Sequence, residues 1–353
     1  MKKINTVRGI RDITYPDSSI WNEIIRTSES ILESYGYRKI FLPVVEYADL
    51  FSRSIGDDTD IVSKEMYVFK DKKGRKLALR PEGTAGAARA MIENDLLRGR
   101  IREKIYYFGP MFRYERPQEG RYRQFYQIGC EVFGSADSRQ DAELTALADE
   151  ILNAAEIKDK QLIINTVGCE NCRREYRKEV KSYLKQKVKN LCPDCKRRLG
   201  TNTLRILDCK NKKCRRIIKY VPVIKDFLCK DCADFFDEYR ELLIKKEIDF
   251  EIDYSLVRGL DYYTGPVFEL KAGIDTVVAG GRYNRLVKQL GGPDVPACGW
   301  ALGMERLFIA SNLKKNSIPG VYLAAFKGAD TEKCRKTADY LRDKGLSVEE
   351  DYD

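Results

Sequence analysis

The chain has 353 residues, a formal net charge of +10 and no histidine, so catalytic or metal sites built on imidazole are excluded. No apolar run reaches the ~18 residues of a membrane span, and the start, MKKINTVRGIRDITYPDSS, lacks the apolar core of a secretory leader. A cytoplasmic protein without membrane contact is expected, its eleven cysteines serving as reduced thiols or metal ligands and not as disulfides.

Residues 17–35, DSSIWNEIIRTSESILESY, space Ile20, Trp21, Ile24, Ile25, Ile31 and Leu32 as one face of an amphipathic helix that Gly36 ends. RKIFLPVVEYADLF reads as a strand interrupted by Pro43, which places it at an edge or interface. MYVFKDKKGRKLALR predicts a hairpin turning near Lys73-Gly74, and PEGTAGAARAMIENDLL a helix starting at or just after Pro81. IREKIYYFGPMFRYERP and RYRQFYQIGCEVFG are strands joined by a polar loop, Arg116 to Arg121. A helix at about 139–155 and a strand, QLIINTVG, follow. Beyond a cysteine-rich segment, strands resume with DFEIDYSLVRGLDYYTGPVFELKA, TVVAGGRYNRLVKQL and CGWALGMERLFIASNL, the last becoming helical.

Strands joined by short turns imply an antiparallel sheet flanked by helices, an α+β fold. Neither GxGxxG nor GxxxxGK[ST] opens a helix after a strand, so Rossmann and P-loop nucleotide sites are not signalled. From Ile318, PGVYLAAF, DTEKCRKTADYLRDKG and LSVEEDY spell strand, helix, strand. That is the beginning of an α/β domain, and a C-terminal truncation is expected because a half-built sheet cannot bury its face.

Charge is concentrated. Between Cys169 and Cys232 there are 20 Lys and Arg against 7 Asp and Glu, a net of +13, and the remainder sums to −3. A localised polyanion-binding surface is the functional reading; a solvated basic face is the plain one. The same segment carries Cys169-x2-Cys172 and Cys192-x2-Cys195, spaced for a four-thiolate zinc site, with Cys209, Cys214, Cys229 and Cys232 available for a second. Spacing alone does not give the pairing, and the eight can equally be unligated thiols.

Four stretches concentrate chemistry. FRYERPQEGRYRQF supplies Arg113, Glu115, Arg116, Arg121 and Arg123 around a turn, with Phe125 nearby; guanidinium forks suit phosphate oxygens, and an aromatic ring suits a base. ALGMERL places Arg306 on a helix, and LRPEGTAG puts Glu82 and Thr84 at a helix N-terminus. Gln127 and Glu131 lie four apart on one strand and so share a face. LVRGLDYYTGPVFE then sets Arg258, Asp261, Tyr262 and Tyr263 within six residues. Each alone is an ordinary ion pair or packing strand; together they are costly to bury without a ligand.

These stretches resemble the histidyl-tRNA synthetases, class II aminoacyl-tRNA synthetases. GYRKIFLPVVE is similar to class II motif 1, the dimer-interface strand; FRYERPQEGRYRQFYQIGCEVFG to motif 2; GWALGMERL to motif 3. LVRGLDYYTGPVFE and AGGRYNRL resemble the two histidine-specific signatures, and the resemblance covers 4–168 and about 245–353. It implies a class II antiparallel sheet divided as catalytic domain (1–168 and 247–317), Cys-rich basic insertion (169–246) and the start of an anticodon-binding domain (318–353). It also implies ligation of L-histidine to tRNA(His) through a histidyl-adenylate, with ATP and Mg2+ as substrate, in a homodimer built on the motif 1 strand.

By that resemblance, Arg113 holds the α-phosphate, Glu115 reads the adenine amino group, Phe125 stacks on adenine, and Arg121, Arg123 and Arg306 serve the phosphates. Glu82, Thr84 and Gln127 hold the substrate α-amino group; Glu131 and Tyr263 grip the imidazole; Tyr262 and Tyr283 line its pocket. Arg258 bridges the substrate carboxylate and the α-phosphate, and the insertion approaches the tRNA acceptor arm. Tyr126 and Asn284 stand where family members often have His and Asp. Two rival readings are a synthetase-like regulatory subunit of ATP phosphoribosyltransferase and a non-catalytic tRNA-binding sensor.

Overall fold

The structure is a computed structural model and describes residues 4–56, 59–273, 275–313, 320–326 and 328–351. Its first elements are α1 (Asp17–Ser34), β1 (Arg38–Lys39), β2 (Val45–Tyr47), α2 (Ala48–Ile55), β3 (Val68–Lys70), β4 (Lys76–Leu79) and α3 (Thr84–Glu93). Then come β5 (Glu103–Phe112), β6 (Gln124–Phe133), α4 (Ser138–Ala154) and β7 (Lys160–Thr166). The insertion is helical: α5 (Glu170–Gln186), α6 (Pro193–Arg198), α7 (Lys212–Ile218) and α8 (Lys230–Lys245). After it follow β8 (Glu251–Ile252), β9 (Pro266–Ala272), β10 (Asp275–Arg282), α9 (Leu286–Gln289), β11 (Ala297–Gly303) and α10 (Met304–Ala310). The last elements are β12 (Gly320–Leu323), α11 (Thr331–Asp343) and β13 (Ser347–Glu350).

The chain forms two compact units, Met1–Asp12 with Ile24–Asn312, and Ile13–Glu23 with Leu313–Asp353. In the smaller unit β12 and β13 pair in parallel, and the Asp330 carboxylate caps α11 by accepting from Lys333 N. The expected boundary at 317/318 lies outside the described residues.

The larger unit is organised by an eight-stranded sheet in the order β1-β5-β6-β11-β10-β9-β7-β8. Its interior is antiparallel, and only the short outer strands β1 and β8 join in parallel. β6 changes character along its length. Gln124 to Gln127 are half-buried, whereas Ile128 to Phe133 are buried. One end of the strand is thus sealed from solvent and the other is partly open to it. Register sets Glu131 beside Gly299 and Gln127 beside Gly303, with Gly109 across on β5. Because side chains alternate along a strand, Phe125, Gln127 and Glu131 project from one face.

Three local differences from the sequence reading have physical causes. The strand expected over RKIFLPVVEYADLF, interrupted by Pro43, is β1, a break and β2, but its ADLF end turns into α2. Pro43 has no N–H for a ladder, and the Leu42 and Pro43 carbonyls instead accept from Arg80 at 2.8 and 3.3 Å. From Ala48 the burial of Leu50, Phe51, Ser54 and Ile55 follows a helical period. The helix expected near Pro81 starts at Thr84, because the Glu82 carboxylate accepts from Thr84 N and Ala85 N and so caps it. Residues 253–265 are irregular and form no strand.

Candidate active site

Glu131 is the buried centre of the site, with no solvent exposure. Three hydroxyls converge on its carboxylate: Thr84 Oγ1 donates at 2.7 Å, Tyr107 OH at 3.0 Å, and Tyr283 OH to the second oxygen. Burial pushes the carboxyl up to about 8, and the Tyr283 and Thr84 hydroxyls act against that shift. Close approach requires glycine beside it. A Cβ on Gly299 would lie 1.9 Å from Glu131 Oε2, and one on Gly129 2.2 Å from the Tyr107 ring. Tyr262, Tyr263 and Tyr283 wall the pocket, with ring centroids 4.8 Å (262–263), 5.5 Å (262–283) and 6.3 Å (263–283) apart.

At the rim, Glu82 is buried and its carboxyl raised, chiefly by desolvation; the two backbone N–H groups it caps oppose this. Gln127 Oε1 is buried without a hydrogen-bond partner among the described residues. Arg258 ion-pairs with Glu269, whose other oxygen accepts from Thr276 Oγ1 at 2.8 Å. The guanidinium is mostly buried and does not turn to solvent.

The cationic half lies at the open end of β6. Arg113 Nε donates to the Pro81 carbonyl at 2.9 Å, and its guanidinium lies 5.1 Å over the Phe125 ring. Arg123 covers Tyr114 at 3.8 Å, and Arg121 reaches Glu115 at 3.6 Å. Arg306 Nη1 donates to the Thr276 carbonyl at 2.6 Å. Burial lowers the pKa of Arg306, and the neighbouring charges of Arg121 and Arg113 lower it further. Guanidinium groups gathered so closely create a positive potential that an anion relieves.

The structure thus gathers Glu82, Thr84, Glu131, Tyr262, Tyr263 and Tyr283 around one buried carboxylate. Gln127 and Phe125 share that face of β6, and Arg113, Arg121 and Arg306 cluster at its open end. Tyr126 and Asn284 do supporting work: Tyr126 stacks on Phe108 at 5.7 Å, and Asn284 Oδ1 accepts from Arg282 Nη1 at 3.2 Å. Residues that the sequence reading missed include Tyr107, which looked like strand core, and Arg80, Glu269 and the buried Arg282–Asp141 pair. A usable signal was present for Arg80, an arginine in the same LRPEGTAG run as Glu82.

The thiols group differently from their order in the sequence. Cys169 and Cys172 meet Cys229 and Cys232, while Cys192 and Cys195 meet Cys209 and Cys214. This corrects the expected grouping of Cys169 and Cys172 with Cys192 and Cys195. The reason is that the N-terminal turns of α5 and α8, capped at Cys169 and Cys229, meet each other, which nests the second quartet inside the first along the chain. Within each quartet all sulfurs lie within 4.8 Å of one another, and Cys192 and Cys209 are 3.9 Å apart. A tetrahedral zinc with bonds of ~2.3 Å needs sulfurs about 3.8 Å apart. Backbone N–H groups of Cys169, Cys192 and Cys229 donate to Cys232, Cys214 and Cys172 sulfurs, as thiolates require. The donor sets therefore fit zinc.

Comparison with known proteins agrees with this geometry. The family profile described as histidyl-tRNA synthetase matches residues 9–307. Histidine–tRNA ligase of Thermodesulfovibrio yellowstonii is 46% identical over 99% of this chain and 85% of its own length. The Aquifex aeolicus counterpart is 47% identical over 99% and 87%. The crystal structure of apo S. aureus histidyl-tRNA synthetase superposes with a TM-score of 0.80 at 33% identity, over 99% of this chain and 85% of that one. The chain belongs to the histidyl-tRNA synthetase family.

Proposed function

We propose that this chain ligates L-histidine to tRNA(His) in two steps, the first on the cleft between Glu131 and Arg306. The histidine carboxylate attacks the α-phosphorus of ATP, which enters as its Mg2+ complex. The bond to the β-phosphate breaks, and pyrophosphate leaves with the electron pair. A ribose hydroxyl of the tRNA then attacks the histidyl carbonyl, the carbonyl–phosphate bond breaks, and AMP departs with its phosphate taking up the hydroxyl proton. No protein base is needed for the first step, because the attacking carboxylate is already ionised; a chain without histidine is therefore equipped for it.

In this reading Glu131 and Tyr263 hold the imidazole, Tyr262 and Tyr283 enclose it, and Glu82, Thr84 and Gln127 take the α-ammonium group. Arg113, Arg121, Arg123 and Arg306 bind the phosphates; Glu115 and Phe125 bind adenine. Arg258 exchanges its Glu269 partner for the substrate carboxylate and α-phosphate. It orients two anions and offsets the charge that builds on the phosphoryl oxygens. The observation that carries the reading is the buried Glu131 carboxylate, ringed by three hydroxyl donors at the head of an arginine-rich cleft. A polar floor of this kind pairs both imidazole nitrogens and rejects apolar amino acids, which leave it unmatched.

Histidine-dependent exchange of pyrophosphate into ATP tests the reading. The unmodified chain supports exchange, and Arg258→Ala lowers it by about 10²–10³-fold, the scale of losing one transition-state donor. Exchange that is absent, or indifferent to histidine, would reject the activity. Undiminished exchange in Arg258→Ala would reject the role.

Three further assignments accompany this. Residues 1–168 and 247–317 form the catalytic domain, 169–246 the tRNA-facing insertion and 318–353 the start of an anticodon-binding domain. The insertion holds two structural zinc ions, one per quartet, each cross-linking two turns; native mass spectrometry without metal would reject this. A homodimer covers Phe41, Val45, Tyr47, Val68 and Phe69, which a single chain leaves exposed beside the motif 1 strand. Among the described residues no helix is long and apolar enough to cross a membrane.

A further inference from the structure

The histidine-recognition segment 258–263 is irregular and holds its shape through few hydrogen bonds of its own. Its bonds come largely from the insertion. Arg173, the residue after Cys172 in the first turn of α5, donates from Nη1 to the Tyr263 carbonyl at 2.8 Å and lies 3.4 Å from the Asp261 carbonyl. Asn202 Nδ2 reaches both Asp261 carboxylate oxygens, at 3.0 and 2.8 Å. Arg205 Nη1 donates to the Arg258 carbonyl at 3.2 Å. Both Asn202 and Arg205 lie between Cys195 and Cys209, so the inner quartet brackets them, as the outer quartet anchors Arg173. The backbone nearby is joined as well, Gly265 N donating to the Gly168 carbonyl just before Cys169.

From these contacts we infer that the insertion, besides any role toward tRNA, positions the histidine pocket, with Arg173, Asn202 and Arg205 as the positioning residues. This inference rests on the assignment of Tyr263 and Arg258 to histidine activation. The three residues act through the backbone of 258–263 and the Asp261 carboxylate, and they touch no substrate. Each bond fixes one point of a loop whose side chains must meet imidazole and carboxylate together. Arg173 holds the end carrying Tyr263, and Arg205 holds the end carrying Arg258. Releasing either end widens the ensemble of loop shapes and weakens histidine binding first.

Pyrophosphate exchange without tRNA separates this role from tRNA binding. Arg173→Ala should raise the KM for histidine roughly tenfold, with the KM for ATP nearly unchanged, the scale of losing a charge-assisted hydrogen bond. Arg173→Lys, which keeps one donor, should recover part of the loss. Asn202→Asp, which sets a carboxylate against Asp261, should act in the same direction. Arg174→Ala, on the exposed side of the same turn, is the control and should leave both KM values alone. Thermal melting of each variant identifies one that has unfolded. Unchanged histidine KM in folded Arg173→Ala and Asn202→Asp would overturn the inference while the unmodified chain still exchanges. A failure of the unmodified chain to exchange would instead overturn the catalytic reading beneath it.

Discussion

In the catalytic sheet β5 and β6 pair over ten residues, and α4 buries ten of its 17 side chains against the neighbouring strands and α8. In the insertion α5 also has 17 residues, but it buries only four, Cys172, Tyr176, Val180 and Leu184, at a spacing of four. Such a narrow stripe removes little apolar surface from water, and the remaining positions are mostly Lys, Arg and Glu. The sheet stands on hydrogen-bond ladders and a broad core. The insertion has a small cluster, Tyr176, Val180, Leu184, Ile206 and Ile224 among it, plus two sulfur quartets. The difference is that of two jobs. One region holds polar and charged groups, Glu131, Arg258 and the Arg282–Asp141 pair among them, in fixed, dry geometry; the other keeps most of its basic side chains wet around a core to which its inner sulfur quartet belongs.

Metal removal sets the two regions apart most sharply. With the quartets loaded as proposed, chelation should melt α5–α7 at temperatures where the sheet persists. Circular dichroism would show a helix loss, while the emission of Trp300, buried in β11 and donating to the Leu144 carbonyl, stays unshifted. The chain has only two tryptophans, Trp21 and Trp300, and neither lies in the insertion, so fluorescence is blind to it. A single transition that moves both signals together would erase the contrast.

The next effect belongs to the sheet. Arg282 and Asp141 form a buried ion pair, and Arg282 also donates to the Ser135 carbonyl at 2.7 Å and the Asp137 carbonyl at 3.2 Å. Arg282→Met leaves Asp141 buried without its cation and should cost about 3–5 kcal/mol in chemical denaturation. Arg282→Met combined with Asp141→Asn should recover part of that loss, because the stranded charge is gone.

What could be read from the sequence divides along the same line. The strands β5 and β6 were legible because their apolar runs are long and carry their own pairing signal. Glu82 and Thr84 were legible because a proline, an acid and a threonine mark a helix start. The site residues Arg258, Tyr262 and Tyr263 were legible too, but the irregular shape of 253–265 was not, since it is held by Arg173, Asn202 and Arg205, each 53 or more positions from the residue it bonds. The partner of Arg258 was hidden for another reason: Glu269 sits inside PVFELKA, an apolar strand where an acid reads as the solvent face. The cysteine spacing told which two sulfurs share a turn and was silent on which turns meet.

Within the pocket, Glu131→Gln keeps the shape and replaces the titratable carboxyl with an amide. It should raise the histidine KM by roughly 10²-fold, the scale of an unmatched polar contact in a buried site. Stability gives a second readout with a definite sign. The folded carboxyl is raised from 4.5 to about 8, so between those values the folded chain holds a proton that the unfolded chain has lost. The contribution of Glu131 to stability is therefore full below about 4.5 and falls as pH rises toward about 8. Glutamine does not titrate, so the melting temperature of Glu131→Gln minus that of the unmodified chain should increase from pH 5 to pH 8. A difference that is flat with pH would show that the three hydroxyls hold the carboxylate ionised throughout.

The smallest effect is on the wet side. Lys210, Lys212 and Lys213 are exposed on and beside α7, in the stretch that carries much of the +13. Replacing all three with Gln should raise the KM for tRNA several-fold at moderate salt and leave histidine-dependent exchange unchanged. If all three meet phosphates, the slope of log affinity against log salt should become shallower by about 2–3, since each phosphate contact releases close to one counterion. An unaltered slope would mean that these lysines are solvated charge alone and that tRNA meets the insertion elsewhere. A loss of exchange would mean that the basic surface and the pocket are coupled more tightly than through Arg173, Asn202 and Arg205.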